Sequence, residues 1–124
     1  MKLIIGGAYQ GKLEYAKENF KIKDVFLCSA RKAELDFSAD TIDRLEDFVL
    51  ACVDQGLEAK DYLAAHRAEL EDKIIICTDI SQGIVPMEAR MRALREMTGR
   101  AMVYLAAEAE TVIRVFCGLG QKIK

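Results

Sequence analysis

The chain has 124 residues, of which 52% are hydrophobic and 31% charged, and its net charge is −2. A chain of this length supports one sizeable core, because folding buries roughly two-thirds of the unfolded surface. The apolar content excludes a disordered protein, and the near-neutral charge excludes a positive field that recruits nucleic acid or anionic lipid. No apolar run approaches the ~20 residues that span a bilayer. We therefore expect residues 1–124 to form a single domain with no nucleic-acid or membrane partner.

In chain order, strand-like and helix-like patterns alternate from the start. Residues 2–5 are a short β-favouring run, and residues 10–20 place apolar side chains at helical spacing. A second β-rich run covers 24–28, and the charged segment 29–38 follows no regular pattern. These segments predict a strand, a helix and a second strand, followed by an irregular connection.

Two helices are predicted in the middle of the chain. Ser38 or Asp40 caps the first, and Gly56 ends it. The second, more polar helix covers 58–70. The first helix is predicted from apolar residues that recur every three or four positions, namely Ile42, Leu45, Phe48, Val49, Cys52 and Val53.

The C-terminal half continues the alternation. Residues 73–77 are nearly continuous in β-branched side chains, as in a strand covered on both faces. Pro86 suits the first turn of a long helix that ends near residue 107. A strand at 111–117 and an edge fragment at 122–124 complete the pattern. Strands that alternate with helices predict an α/β fold with a small, mainly parallel sheet.

The four cysteines indicate packing instead of chemistry. They lie 24, 25 and 40 residues apart, whereas zinc sites and redox centres need pairs two to four residues apart. Cys28, Cys77 and Cys117 lie in apolar stretches, where a free cysteine packs like a small hydrophobe. Since the sequence begins with no signal-peptide pattern, we expect reduced thiols in the core of a cytoplasmic protein.

The motif with the clearest chemistry follows the first strand. Gly6, four further residues, Gly11 and Lys12 have the spacing G-x-x-x-x-G-K of a phosphate-binding loop. In such a loop backbone N–H groups surround phosphate oxygens, the following helix adds its positive end, and the lysine reaches the outer phosphates. The alternative is a glycine-rich turn with a solvated lysine. The predicted nucleotide-binding residues are Gly6, Gly7, Ala8, Tyr9, Gln10, Gly11, Lys12 and Leu13.

Two positions concern magnesium. Leu13 stands where serine or threonine normally offers a hydroxyl to Mg²⁺, so the ion would lose one protein ligand. Asp79 follows the strand at 73–77, and an acidic residue at the carboxyl end of a strand faces the ligand crevice in open α/β sheets. Asp79 is also in a position to cap the following turn, so both interpretations stay open.

Two separated blocks of sequence resemble one known family. The first is the loop at 6–13, G-G-A-Y-Q-G-K-L, where the family has G-G-A-R-S-G-K-S. The second extends over 78–124 and contains T-D-I-S-Q-G-I-V-P, then R-E, G-R, L-A and G-L-G-Q-K-I-K. Both blocks, in this order, are similar to the bifunctional adenosylcobinamide kinase / adenosylcobinamide-phosphate guanylyltransferase family. The resemblance is close over about half of the chain and loose in the middle.

The resemblance implies a RecA-like P-loop NTPase fold and a role in cobalamin assembly. Family members phosphorylate the aminopropanol hydroxyl of adenosylcobinamide with ATP or GTP, and then attach GMP through a guanylylated histidine. By matching position, Lys12 would stabilise the transferring phosphoryl group and Asp79 would place Mg²⁺. Glu46 is a second candidate ligand, although helical periodicity explains it equally well. Arg100 would face the transferred phosphate; the alternative is that the arginines of this helix only form i,i+4 ion pairs on a solvated face. The resemblance also implies a cobinamide-type acceptor and a homo-oligomer.

The chain departs from the family in its middle region. That region is shorter than in the family, where it carries the histidine nucleophile. Residues 29–44 contain no histidine, and the single histidine, His66, is predicted on the surface of a polar helix. We therefore expect guanylyl transfer to be lost. The hypotheses are a nucleotide-dependent kinase, a non-catalytic relative that acts as a binding or regulatory subunit, and a P-loop protein with an unrelated substrate.

Overall fold

The computed structural model describes residues 1–80 and 88–124, and its strands form one sheet. In these ranges the strands are β1 (Lys2–Gly6), β2 (Val25–Leu27), β3 (Thr41–Asp43), β4 (Ile74–Thr78), β5 (Thr111–Phe116) and β6 (Leu119–Lys122). The helices are α1 (Lys12–Asn19), α2 (Leu45–Gln55), α3 (Ala59–Ala65) and α4 (Ala89–Glu108), with a 3₁₀ turn at Arg67–Leu70.

The sheet has the strand order β2-β3-β4-β1-β5-β6, with β1 near its centre. All neighbouring strands are parallel except β6, which runs antiparallel to β5. Gly6 at the end of β1 pairs with Thr78 at the end of β4, so the connections after these strands begin at the same edge of the sheet. This architecture confirms the predicted α/β class with a mainly parallel sheet flanked by helices.

The two faces of the sheet hold two hydrophobic clusters. Since side chains alternate along a strand, Leu3 and Ile75 pack with α2, α3 and α4 on one face. Ile4 and Ile76 pack with Ala16 of α1 on the other. All four strand residues are fully buried, as the continuous apolar runs predict. Across the described ranges, no helix has the length and apolar character needed to cross a membrane.

The segment before α2 differs from the predicted helix. The chain forms the short strand β3, and the helix begins only at Leu45 instead of after residues 38–40. Between them Arg44 has φ 56° and ψ 50°, a left-handed conformation that no helix continues through. Ile42 lies in β3, although its three-residue spacing to Leu45 matches the helical repeat. A strand of three residues is too short for its own pattern to compete.

Other boundaries agree in part with the prediction. Gly56 ends α2 with φ 70°, as predicted. The predicted helix 58–70 instead divides at His66 into α3 and the 3₁₀ turn. The C-terminal edge strand is β6, which begins earlier than the predicted fragment 122–124. The predicted helix start at Pro86 lies outside the described residues.

The cysteines are free, and three of them are buried. Cys28, Cys52 and Cys77 lie inside the fold, whereas Cys117 is exposed in the turn between β5 and β6. Core packing was therefore the wrong prediction for Cys117, because the strand ends one residue before it. Burial raises the pKa of the Cys28 thiol to about 12, so this thiol is protonated at neutral pH.

Candidate functional site

The predicted phosphate-binding loop is the connection from β1 to α1, where two glycines have backbone requirements of their own. Gly11, immediately before α1, has φ 84°, which glycine adopts without strain. A Cβ atom at Gly6 would lie 2.4 Å from the carbonyl oxygen of Val115, so only glycine fits where the loop leaves the sheet. Lys12 is buried, and its Nζ donates a hydrogen bond to the Gly7 carbonyl at 2.7 Å. The loop thus holds a cation against its own backbone.

The other loop side chains have different environments. Tyr9 is fully exposed and has φ 59°. Gln10 is tied to the turn between β5 and β6: its Oε1 accepts from the Cys117 N–H at 2.7 Å, and its carbonyl accepts from the Gly118 N–H at 2.8 Å. Leu13 is partly buried and packs in the cluster beneath α1. Gln10 therefore braces the loop, and Leu13 offers no oxygen to a metal.

A cavity of about 480 Å³, which we call the phosphate-sized cavity because it has room for a chain of phosphates, separates this loop from the carboxyl end of β3. Its volume lies within the range of pockets that bind small ligands. One wall is the loop, residues 8–14. The opposite wall, which we call the acidic wall, consists of Asp43, Arg44, Glu46 and Asp47, and Thr78 of β4 adjoins it.

Carboxylates dominate the acidic wall. Burial raises the pKa of Asp43; the Arg44 N–H, which donates to its Oδ1 at 2.7 Å, opposes this, and the charge of Glu46 adds to it. Burial and Glu46 likewise raise the pKa of Asp47. Glu46 Oε1 accepts a hydrogen bond from the Thr78 N–H at 2.9 Å. This bond fixes the start of α2 against the end of β4, beside the loop.

The predicted metal ligands lie in two adjacent cavities. Glu46 faces the phosphate-sized cavity, but Asp79 lines a smaller one of about 150 Å³ that also contacts Gly6, Gly7 and Arg114. The Asp79 N–H donates to the Gly6 carbonyl at 2.8 Å, so its backbone is fixed against the start of the loop. The structure therefore brings both carboxylates to the loop, from different sides.

Arg100 lies elsewhere. Its guanidinium donates two hydrogen bonds to Glu58 Oε1, at 2.8 and 3.1 Å. Glu58 precedes α3, at the end of α2 remote from Glu46. Arg100 is thus in an ion pair outside the phosphate-sized cavity, and its predicted contact with a transferred phosphate stays a prediction.

The donor set bears on whether magnesium fits. Mg²⁺ usually keeps several waters and is bound through one or two carboxylates plus the phosphates of its nucleotide. Glu46 is one of four carboxylates that line the cavity, and Leu13 supplies no oxygen. Residues 1–80 and 88–124 contain no group of three His, Cys, Asp or Glu side chains that could hold a metal. The site therefore fits a magnesium ion that arrives with phosphates, but not one held by the protein alone.

Sequence reasoning missed most of the acidic wall. Asp43, Arg44, Asp47 and Thr78 were not predicted as site residues, because β3 was interpreted as part of a helix. Two acidic residues in the first turn of α2 were the available indication, since carboxylates favour a helix N-terminus. They would have placed the helix start, and so the end of β3, at the correct edge of the sheet.

Comparison with known proteins gives one family. Residues 45–123 match CobU, described as cobinamide kinase / cobinamide phosphate guanyltransferase. The match begins at α2 and includes Glu46, Asp79 and Arg100, whereas the loop at 6–13 precedes it. No individual curated protein matches the chain significantly.

The family match agrees with the fold and defines a general class of function. CobU proteins have a P-loop NTPase-like fold, use nucleotide and cobinamide substrates, and act in cobalamin biosynthesis. The match covers more than half of the chain, and the observed sheet is mainly parallel and flanked by helices, as in a P-loop NTPase-like fold. The chain therefore belongs to the CobU family, whose function is of the cobinamide kinase and guanylyltransferase type.

Proposed function

We propose that the chain binds ATP or GTP between the loop and the acidic wall, and transfers the terminal phosphoryl group to the hydroxyl of a cobinamide-type acceptor. The carrying observation is the buried Lys12 of a glycine loop that faces a cavity of suitable size, in a chain of the CobU family. In this proposal residues 1–124 are a single nucleotide-binding domain.

The loop would bind phosphates mainly through its backbone. Its N–H groups and the positive N-terminal end of α1 favour an anion at this position. Lys12 Nζ now bonds to the neutral Gly7 carbonyl at 2.7 Å, and a phosphate oxygen is a stronger acceptor for it. During transfer the acceptor oxygen forms a bond to the terminal phosphorus as the bridging P–O bond breaks; the nucleoside diphosphate leaves, and the hydroxyl proton passes to water. Lys12 would neutralise charge on the transferring group, which is the main catalytic contribution in such reactions.

Glu46 and Asp79 are the proposed magnesium ligands. Glu46 is better supported, because it lies in the phosphate-sized cavity and the Thr78 N–H already orients its carboxylate. Magnesium bound with the nucleotide would neutralise phosphate charge. Arg100 would have to leave Glu58 to reach the transferred phosphate, so its proposed catalytic role requires that ion pair to open.

We propose that guanylyl transfer through a histidine is absent. His66 is the only histidine in the chain. Its ring lies 4.5 Å from that of Tyr62 and 5.1 Å from that of Phe37, and its Nδ1 lies 3.0 Å from Glu69 Oε1. These contacts place it at the end of α3, and it does not line the cavity beside the loop.

Leu13 favours a second candidate function. Because the loop lacks the hydroxyl that normally holds magnesium, the chain would bind phosphates without turnover and act as a binding or regulatory subunit.

We also propose a cytoplasmic homo-oligomer. The exposed apolar residues Phe116 and Leu119 at the β5–β6 edge support self-association, since such edges are usually covered.

The test is calorimetric titration with ATP and GTP, with and without Mg²⁺, followed by transfer of labelled γ-phosphate to cobinamide. Lys12→Ala should weaken nucleotide binding by about 100-fold, because it removes a buried charge-assisted contact. Lys17→Ala, at an exposed position of the same helix, is the matched control and should bind like wild type. Wild-type binding without transfer leaves only the second candidate. No binding in any condition contradicts both.

A further inference from the structure

The one arginine in the phosphate-sized cavity has no part in the function proposed above. Arg44 lies on the acidic wall, directly between β3 and α2. Its side chain is exposed, and in the described part of the chain its guanidinium forms no hydrogen bond or ion pair. By contrast Arg67, Arg90 and Arg100 are each bonded to carboxylates. The charge of Arg44 acts on the neighbouring carboxylates of Asp43 and Asp47, whose pKa values it lowers, but among the described residues Arg44 has no side-chain hydrogen bond to break before it binds a ligand.

The charges around the cavity call for a second cation. Its lining carries Lys12 and Arg44 against four carboxylates, those of Glu14, Asp43, Glu46 and Asp47. A nucleoside triphosphate is itself strongly anionic, so most of the lining repels it. Lys12 offsets this repulsion, but only on the loop side of the cavity. Arg44 is the cation on the opposite wall.

The backbone of Arg44 is unfavourable for an arginine. Its φ of 56° lies in the left-handed region, which is unfavourable for a residue with a Cβ and which glycine or asparagine adopts more easily. Strained positions of this kind cluster at ligand sites, where the side chain is needed for function and not for stability. Glycine here would relieve the strain but would remove the guanidinium.

The topology indicates which phosphate Arg44 can reach. β4 separates β3 from β1, so the two walls begin about 10 Å apart. The loop and α1 would hold the inner phosphates, and the phosphate farthest from them projects across the end of β4. An extended arginine on the acidic wall spans much of the remaining distance, and its planar guanidinium matches two phosphate oxygens.

We propose that Arg44 binds the outermost phosphate of the nucleoside triphosphate, opposite Lys12, and so makes the site prefer triphosphates over diphosphates. This assignment rests on the proposed function, because it places the nucleotide in the same cavity. It deepens that function by naming the residue that recognises the group to be transferred.

The decisive variant is Arg44→Gly, which should improve the fold and impair the site. Its thermal midpoint should rise, because the left-handed conformation suits glycine. Its affinity for ATP or GTP should fall about 10- to 100-fold, and its affinity for ADP or GDP less than threefold. The triphosphate affinity of Arg44→Lys should lie between those of the wild type and Arg44→Gly, since an ammonium makes a single-point contact. Arg31→Ala removes one exposed arginine outside the cavity, and should change neither the triphosphate affinity nor the diphosphate affinity.

Each outcome decides a different point. Unchanged triphosphate affinity in Arg44→Gly, with normal weakening in Lys12→Ala, overturns the role of Arg44 and leaves the proposed function standing. Equal losses for triphosphates and diphosphates overturn the assignment to the outermost phosphate. If Arg44→Gly proves less stable, Arg44→Gln, measured well below its thermal midpoint, tests the same affinity ratio. Failure of the wild type to bind any nucleotide overturns the proposed function and this inference together.

Discussion

The two walls of the phosphate-sized cavity are both strand-to-helix connections, yet they are built on opposite principles. The loop wall, residues 8–14, depends on backbone: Gly11 has φ 84°, and Lys12 is its buried cation. The acidic wall depends on side chains, with carboxylates at the start of α2 and Arg44 in a left-handed conformation that suits it poorly. In the proposed function, the loop wall would position phosphates by its shape, and the acidic wall would set the charge around them.

This difference predicts that substitutions on the two walls will have different effects on stability and binding. A change on the loop wall should act through sterics and cost both stability and binding. A change on the acidic wall should leave the fold intact and alter affinity, ion dependence or pH dependence. The following variants test this contrast, beginning with the largest expected effect.

Gly6→Ala, two residues before the loop wall, should displace that wall and destabilise the fold. Its added Cβ would lie 2.4 Å from the backbone oxygen of Val115, which cannot move without displacing β5. We expect a loss of about 3 kcal/mol in the free energy of unfolding, measured by urea denaturation. Gly99→Ala is the control, because nothing lies within 4 Å of a Cβ added there; it should stabilise α4 slightly. Equal effects of the two variants would refute the steric account.

Glu46→Gln should affect the ion dependence of binding instead of stability. The amide keeps an oxygen that can accept from the Thr78 N–H, but it loses the charge that attracts magnesium. The gain in nucleotide affinity on adding Mg²⁺ should shrink by about tenfold in titration calorimetry, the size of one charge-assisted contact. Glu18→Gln, exposed on α1, should retain the full magnesium effect. A full effect in Glu46→Gln would show that magnesium does not meet this wall.

Asp43→Asn should give the smallest change, visible in the pH dependence of stability. Burial raises the folded-state pKa of Asp43 above 3.8, so the wild type loses stability as pH rises from 3.8 through the higher folded-state value. The variant, whose amide oxygen can still accept from the Arg44 N–H, should be more stable at pH 7. This advantage should vanish below pH 3.8.

The matched control for this variant is Asp36→Asn, which should change stability at pH 7 in the opposite direction. Hydrogen bonds from Ser38 lower the pKa of Asp36, so Asp36→Asn should be less stable than wild type at pH 7. Thermal melts of both variants between pH 3 and pH 7 provide the comparison. A gain in Asp36→Asn, or a pH-independent gain in Asp43→Asn, would contradict the assigned causes.

The loop wall was predictable from the sequence, and the acidic wall was not. Glycines at fixed spacing between a strand and a helix have few structural interpretations, so residues 6–13 were placed correctly at the end of β1. β3 has only three residues, and the helical spacing from Ile42 to Leu45 hid its end. The left-handed backbone of Arg44 separates β3 from α2. Arginine rarely adopts a positive φ, so the sequence does not predict this break.

Arg100 illustrates a different limit. The sequence motif around it resembles the family, and that resemblance predicts a phosphate contact. Its partner, Glu58, lies 42 residues earlier, and the pairing depends on how α3 packs against α4. Ion pairs between helices that are distant in sequence follow from tertiary packing, which periodicity alone does not determine.

The hydrogen bonds from Gln10 to the β5–β6 turn have a consequence for how the protein is made. The loop appears early in synthesis, yet its brace at Cys117 is 107 residues away, and β1 itself pairs with β4 and β5. Such distant pairing slows folding, because the chain must close long loops before it gains contacts. The loop is therefore not braced until the turn between β5 and β6 has been synthesised. During that interval the apolar strand β1 depends on the rest of the nascent chain to shield it.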